Sequence, residues 1–172
     1  EMCIRDRWED ECKRFNFSHI IKVSSKNQGW RSEIDDIKLK ESLAESDESS
    51  LSFIIITTYA SFSRESTFKQ LMSLSKKIQR QMLLIADEAH NIGAPNIMSK
   101  LDRVKILRRI GLSATPERQF DDKGNKAVMQ FFGCDAQYTF EYSMKEAIDN
   151  GFLCRYRYFP HVVRLNCLLY TS

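Results

Sequence analysis

Apolar residues in this chain fall into short runs separated by stretches with helical spacing, and that alternation predicts an α/β protein with parallel strands. Residues 19–23 (HIIKV) read as a strand, and Trp30, Ile34 and Ile37 then recur at the spacing of a helix that dissolves in the Ser/Glu/Asp-rich loop 46–52. The run 53–57 (FIIIT) is nearly continuous in β-branched and aromatic residues, the pattern of a strand buried on both faces. Phe68, Leu71, Met72, Ile78 and Met82 mark a helix face after the N-cap candidate Ser66, and residues 82–86 (MLLIA) form the next buried strand. Pro95 suits the first turn of a short helix reaching Arg103. The strand expected within 106–114 is interrupted by Arg108 and Arg109, which leaves 110–113 as its core. Ala127, Val128, Phe131 and Phe132 make a helix face that Gly133 stops; residues 138–142 read as a strand. Ser143-Met-Lys-Glu146 is a capping box, Asn150-Gly151 closes that helix in a left-handed turn, and 155–165 alternates as a last strand. There is no internal repeat.

Composition bounds the class without choosing a function. The 172 residues amount to about one domain, and an apolar share of 42% with 28% charged residues is that of an ordinary globular protein. A formal charge of +3 does not by itself require a polyanionic partner. Glu41, Glu45, Asp47 and Glu48 form an acidic patch, and Lys100, Arg103, Lys105, Arg108 and Arg109 a basic one; a solvated face accounts for either. The five cysteines, at 3, 12, 134, 154 and 167, show no paired spacing. Neither a zinc site nor a disulfide framework follows, and a reducing cytoplasmic setting fits. The apolar runs are too short to span a bilayer, and no secretory leader opens the sequence.

The stretch 82–93, MLLIADEAHNIG, drives five apolar residues into two adjacent carboxylates, Asp87 and Glu88, with His90 after one alanine. In an open parallel sheet, ligands bind beyond the carboxyl ends of the strands. Acids placed there face a crevice, where a Mg²⁺ ion held largely through waters relieves their repulsion. A neighbouring carboxylate can then orient or deprotonate a water for attack on a phosphoryl group. The competing account is a solvated strand end with a fortuitous pair of acids. A zinc protease is excluded, because His19, His90 and His161 make no HExxH pattern.

LLIADEAHNIG followed by RRIGLSATPER (108–118) resembles motifs II and III of superfamily-two helicases and translocases. FIIITTYASF (53–62) is similar to their motif Ib region, and MKEAIDNGFLCRYRYFP (144–160) to the exit from the first RecA-like domain. The likeness runs over residues 8–165 and points to the DNA-acting DEAD/DEAH and restriction-subunit-like enzymes. It implies an incomplete three-layer RecA-like domain with a mostly parallel sheet, and ATP and Mg²⁺ as cofactors. In that resemblance Asp87 contacts the metal, Glu88 is the catalytic base, and His90 links the nucleotide site to motif III. Ser113, Ala114 and Thr115 couple hydrolysis to strand movement; on residues alone, SAT before Pro116 is only a strand stop. Thr57, Thr58 and Tyr59 lie on the nucleic-acid face, where hydroxyls and backbone N–H groups suit phosphate contacts. Tyr59 either stacks a base or belongs to the core, and Arg118 either meets a phosphate or is a solvated loop residue. Arg155 and Arg157, alternating with Tyr156 and Tyr158, either line a hinge or form an amphipathic edge. DNA is the implied track, although phosphate contacts serve RNA equally, and a second RecA-like domain is the implied partner.

No GxxxxGK[ST] occurs, so the loop that cradles phosphates is not in this sequence. In the family that loop lies upstream of a Leu-x-x-Gln-Trp-like stretch, whose end Trp8 resembles. The sequence therefore reads as an internal fragment lacking the phosphate-loop strand. MCIRDR (2–7) and CLLYTS (167–172) resemble translated adapter sequence, so residues 1–7 and 166–172 are expected to be non-native ends.

Overall fold

The structure is a computed structural model that describes residues 2–43, 51–134, 138–157 and 159–160. The chain separates into two units, residues 1–136 and 137–172. In the first, helix α1 (Met2–Arg14) leads to strand β1 (Ile20–Lys22), α2 (Trp30–Leu43), β2 (Ile54–Ile56) and the short helices α3 (Tyr59–Phe62), α4 (Glu65–Leu71) and α5 (Lys76–Gln81). Strand β3 (Leu83–Asp87), a 3-10 turn (Ala89–Gly93), α6 (Pro95–Met98), a second turn (Leu101–Arg103), β4 (Arg108–Leu112) and α7 (Asp122–Phe132) follow. Helix α8 (Met144–Asp149) belongs to the second unit.

Both strand pairings are parallel, as the alternating pattern requires: β1 with β2, and β3 with β4. They form two two-stranded pieces among the described residues, the mixed α/β architecture of an incomplete RecA-like domain. Around β1, α2 and α5, Ile21, Val23, Trp30, Ile34, Ile37, Leu71, Leu74 and Ile78 make one core cluster. A second surrounds β3 and α7, with Phe68, Ala86, Ala89, Ile92, Val104, Ile106, Val128 and Phe131. Phe62, Met72 and Met82 pack against both, which joins the two pieces through side chains.

The strands expected to be buried on both faces are not. The residues of β2 are only partly covered, and in β3 Leu83 and Ile85 are each 50% exposed while Ala86 is 6%. The register explains it: Leu83 and Ile85 share a face with Ile110 and Leu112 of β4, also exposed, and only the opposite face meets the core. Arg108 and Arg109 lie inside β4 rather than interrupting it. Arg109 bends back to donate to the carbonyls of Ile106 (2.7 Å), Phe131 (2.8 Å) and Val104 (3.2 Å), and stacks over the Phe131 ring. Those acceptors satisfy the guanidinium so well that a cation fits within a strand.

The helical pattern expected after Ser66 begins two residues earlier, at Glu65 with Arg64 as N-cap, and breaks into α4 and α5. Ser75 caps α5 by accepting from Ile78 N (3.1 Å), while Gln79 Nε2 ties down the carbonyls of Met72 and Leu74 across the break. The helix expected from Pro95 to Arg103 stops at Met98 and resumes as a 3-10 turn. Helix α7 ends at Gly133, φ 73°, and α8 carries the expected capping box on Ser143 and Glu146, with Gly151 at φ 75° after it. Residues 138–142 form no strand; Phe140 stacks on Tyr142, and Asn150 Nδ2 donates to the Tyr142 hydroxyl (2.8 Å). Residues 155–157 are likewise outside any strand, and the rest of the expected final strand, like most of the loop 46–52 and its acids, lies outside the described residues. No helix among the described residues is long and apolar enough to cross a membrane.

Two more residues of the basic patch, besides Arg109, are spent on structure. Lys100 and Arg103 each stand 3.0 Å from the Glu65 carboxylate and lie over the Phe68 ring. They hold the Glu65 carboxyl below its ordinary pKa, Lys100 most strongly.

Candidate functional site

Strand β3 ends on Asp87, paired in register with Leu112 at the end of β4, so the segments that follow both strands leave from one edge. Glu88 then takes a left-handed conformation, φ 50° and ψ 54°, which is costly for a residue with a side chain and typical of functional turns. Its carbonyl is held from the next turn by Asn91, through the backbone N–H (2.9 Å) and the side-chain amide (3.1 Å). The chain thereby reverses abruptly and leaves both carboxylates at the strand end. Gly111 makes the turn possible. A Cβ there would come within 3.0 Å of Ala89 Cβ and within 2.9 Å of the Phe132 ring.

Asp87 is held on three sides. Its Oδ1 accepts from Glu88 N (3.1 Å), its Oδ2 from the Trp8 indole (3.3 Å), and its carbonyl from the Tyr59 hydroxyl (2.8 Å). Burial, then the Asp87 and Glu88 charges, push the Tyr59 hydroxyl far above the ordinary tyrosine value, so it stays protonated as a donor. Glu88 keeps its side chain 55% exposed, with Oε2 3.5 Å from His90 Nδ1. That same His90 nitrogen stands 3.0 Å from Ser113 Oγ, which also accepts from Thr115 N (3.3 Å).

The structure thus brings Asp87, Glu88, His90, Ser113 and Thr115 into one connected group, while Ala114 sits exposed between the two hydroxyl residues. Arg118 joins from behind. Its Nη1 donates to the His90 carbonyl (3.2 Å), its Nε to Asp121 (2.7 Å), and its backbone is clasped by Asn125 in both directions. One guanidinium nitrogen therefore serves the turn and another the start of α7, rather than open solvent. Thr58 caps α3 by accepting from Ser61 N (3.1 Å), and Thr57 Oγ1 donates to the Thr58 carbonyl (3.4 Å). Tyr59, the first residue of α3, carries that segment to the acids.

Sequence reasoning did not find the roles of Asn91, Asp121, Asn125 and Gly111, nor the contact of Trp8 with Asp87. Asp121 had a local signal, a cap followed three residues later by Gly124, whose N–H it accepts (2.8 Å). Trp8 lies 79 positions from Asp87, and no pattern in the sequence announces that meeting.

A magnesium ion suits this donor set in one form only. Among the described residues, no cluster of three or more His, Cys, Asp or Glu could enclose a metal. Each Asp87 oxygen has one lone pair engaged and one left. That matches a small hard cation that keeps most of its waters and is otherwise held by substrate phosphates.

At the carboxyl ends of β1 and β2 lies a polar pocket lined by Ser24, Ser25, Gln28, Arg31, Ser61 and Arg64, among others. Arg31 stacks on Trp30, and among the described residues neither arginine is paired with a carboxylate.

No match to the chain was found among curated proteins or among solved structures. A family model described as type III restriction enzyme, res subunit, matches residues 4–118, which hold Asp87, Glu88, His90, Ser113, Thr115 and Arg118 but not Asp121 or Asn125. With that match over more than half of its length, the chain belongs to the type III restriction enzyme res subunit family of helicase-like ATPase domains.

Proposed function

We propose that this chain is the nucleotide-hydrolysing part of an ATP-dependent DNA helicase or translocase, its first RecA-like domain. The observation that carries the reading is the chain of contacts from Glu88 to His90 to Ser113, which ties adjacent acids at a strand end to the SAT segment. Asp87 would hold the hydrated cation, and Glu88, turned outward and half-exposed, would accept the proton of the attacking water. When bound, Mg²⁺ neutralises charge on the transferring phosphoryl group. Ser113 Oγ meets both His90 Nδ1 and the Thr115 N–H, so one small hydroxyl joins the acids' turn to the SAT backbone, which suits a coupling element.

The nucleic-acid track is supported by the serine- and arginine-lined pocket and by Thr57 and Thr58 beside it, all suited to backbone phosphates. The phosphate cradle is supplied by sequence outside these 172 residues, and a second RecA-like domain closes the cleft. The isolated chain therefore shows no ATPase activity. The family description favours a second reading at the level of the whole protein, the motor subunit of a restriction endonuclease. A nuclease domain encoded in the same gene distinguishes it.

The test is turnover of the complete gene product. Glu88→Gln keeps the shape of the side chain, traps ATP and blocks hydrolysis. A variant that hydrolyses ATP at the wild-type rate removes Glu88 as the base. A wild-type protein that binds nucleic acid without any turnover leaves a binding domain in place of a motor.

A further inference from the structure

Asp87 receives more support than a solvated strand-end carboxylate needs. Three donors reach it, two of them from far away in sequence: the Trp8 indole on Oδ2 and the Tyr59 hydroxyl on the main-chain carbonyl. With Glu88 N on Oδ1, the carboxylate is gripped on both oxygens, which fixes the plane of the group. The Tyr59 bond fixes the peptide from which that group projects. Tyr59 and Trp8 come from different helices, α3 and α1, and neither residue is needed to pair the strands.

We propose that Trp8 and Tyr59 are positioning residues that aim the Asp87 carboxylate at a divalent cation. The inference rests on the reading above, in which Asp87 faces that cation. Its chemistry is that of outer-sphere partners in metal sites, which hold a ligating group in one orientation and leave its remaining lone pairs free. Tyr59 also begins the helix that carries Ser61 of the polar pocket.

The experiment uses the 172-residue chain, ¹⁵N-labelled, with substoichiometric Mn²⁺ as a paramagnetic probe. Trp8 and Trp30 give the only two indole N–H signals, one at the site and one in the core. The expected result is broadening of the Glu88 amide and the Trp8 indole ahead of the Trp30 indole, abolished by Asp87→Asn. Tyr59→Phe and Trp8→Phe each weaken the Mn²⁺ response of the Glu88 amide roughly tenfold, with the Trp30 signal unmoved. Wild-type broadening in both variants overturns the inference and leaves the cation reading intact. Absence of selective broadening in the wild type, or broadening that survives Asp87→Asn, overturns both. Should Tyr59→Phe shift the Trp30 indole, signalling a disturbed core, the Trp8→Phe result decides alone.

Discussion

His90 Nδ1 lies 3.0 Å from Ser113 Oγ, a side-chain to side-chain contact between the segment that follows β3 and the one that follows β4. The two strands already pair along their length, so this bond adds little to their alignment. What it adds is a link between the Glu88 turn and the mobile-sized hydroxyls of SAT. Ser113→Ala removes that link and the acceptor for Thr115 N together. The expected loss of stability is about 1 kcal/mol, the net worth of a partly exposed hydrogen bond, read from a urea midpoint. If the complete protein is the motor proposed above, its Ser113→Ala variant should keep hydrolysis while strand displacement falls. Equal losses of both would assign Ser113 to the hydrolytic step instead of to coupling.

Gly111 is predicted to tolerate no side chain. Its missing Cβ would press on Ala89 and on two atoms of the Phe132 ring, and Ala89 starts the turn that carries His90. Gly111→Ala is expected to cost about 1–3 kcal/mol through overpacking. Comparison of denaturant midpoints at constant m checks it. A variant as stable as the wild type would mean that Phe132, partly exposed, swings aside freely.

The strand order of the motifs and the capping signals were legible because they are local. Ser143 and Glu146 answer each other three residues apart, and Gly133 and Gly151 take the positive φ that the helix ends require. The DEAH acids were placed correctly at a strand end because five apolar residues precede them. Burial was misjudged for Leu83 and Ile85, since an apolar run reports that a residue is apolar and not which faces are covered. Arg109 was misread for a related reason: its acceptors are three carbonyls, and carbonyls are identical in every sequence. Trp8 was invisible as an Asp87 partner because the contact joins segments 79 residues apart.

Asp121 gives the molecule a pH dependence with a definite sign. Arg118 first, then the Gly124 N–H, hold its carboxyl below the ordinary aspartate value of 3.8. A folded-state pKa depressed in this way contributes stability above the unfolded value and loses it as pH falls through the folded one. Asp121→Asn should therefore be less stable than the wild type at neutral pH. The gap should close as the solution is acidified below 3.8. Urea midpoints of both proteins across that range provide the measurement. A gap that widens on acidification would show that the Arg118 pair is not its source.

Arg31 and Arg64 offer the most direct test of the proposed nucleic-acid face. Both line the pocket at the carboxyl ends of β1 and β2, beside the hydroxyls of Ser24, Ser25 and Ser61, and among the described residues no carboxylate neutralises either. A guanidinium that meets a backbone phosphate releases a condensed counterion, and affinity then falls with salt in proportion to the number of such contacts. Arg64→Ala should therefore weaken binding of the chain to oligonucleotides of every sequence by a similar factor. The slope of log affinity against log salt should fall by about 0.9 on duplex DNA, or about 0.7 on a single strand. Arg31→Ala should do the same, because its stacking on Trp30 orients the head group without neutralising it. The double variant should lose the two slopes additively if each arginine meets its own phosphate. Loss of affinity with an unchanged slope would mean that the pocket supports the fold of α3 and α4, and the track would have to run over another surface.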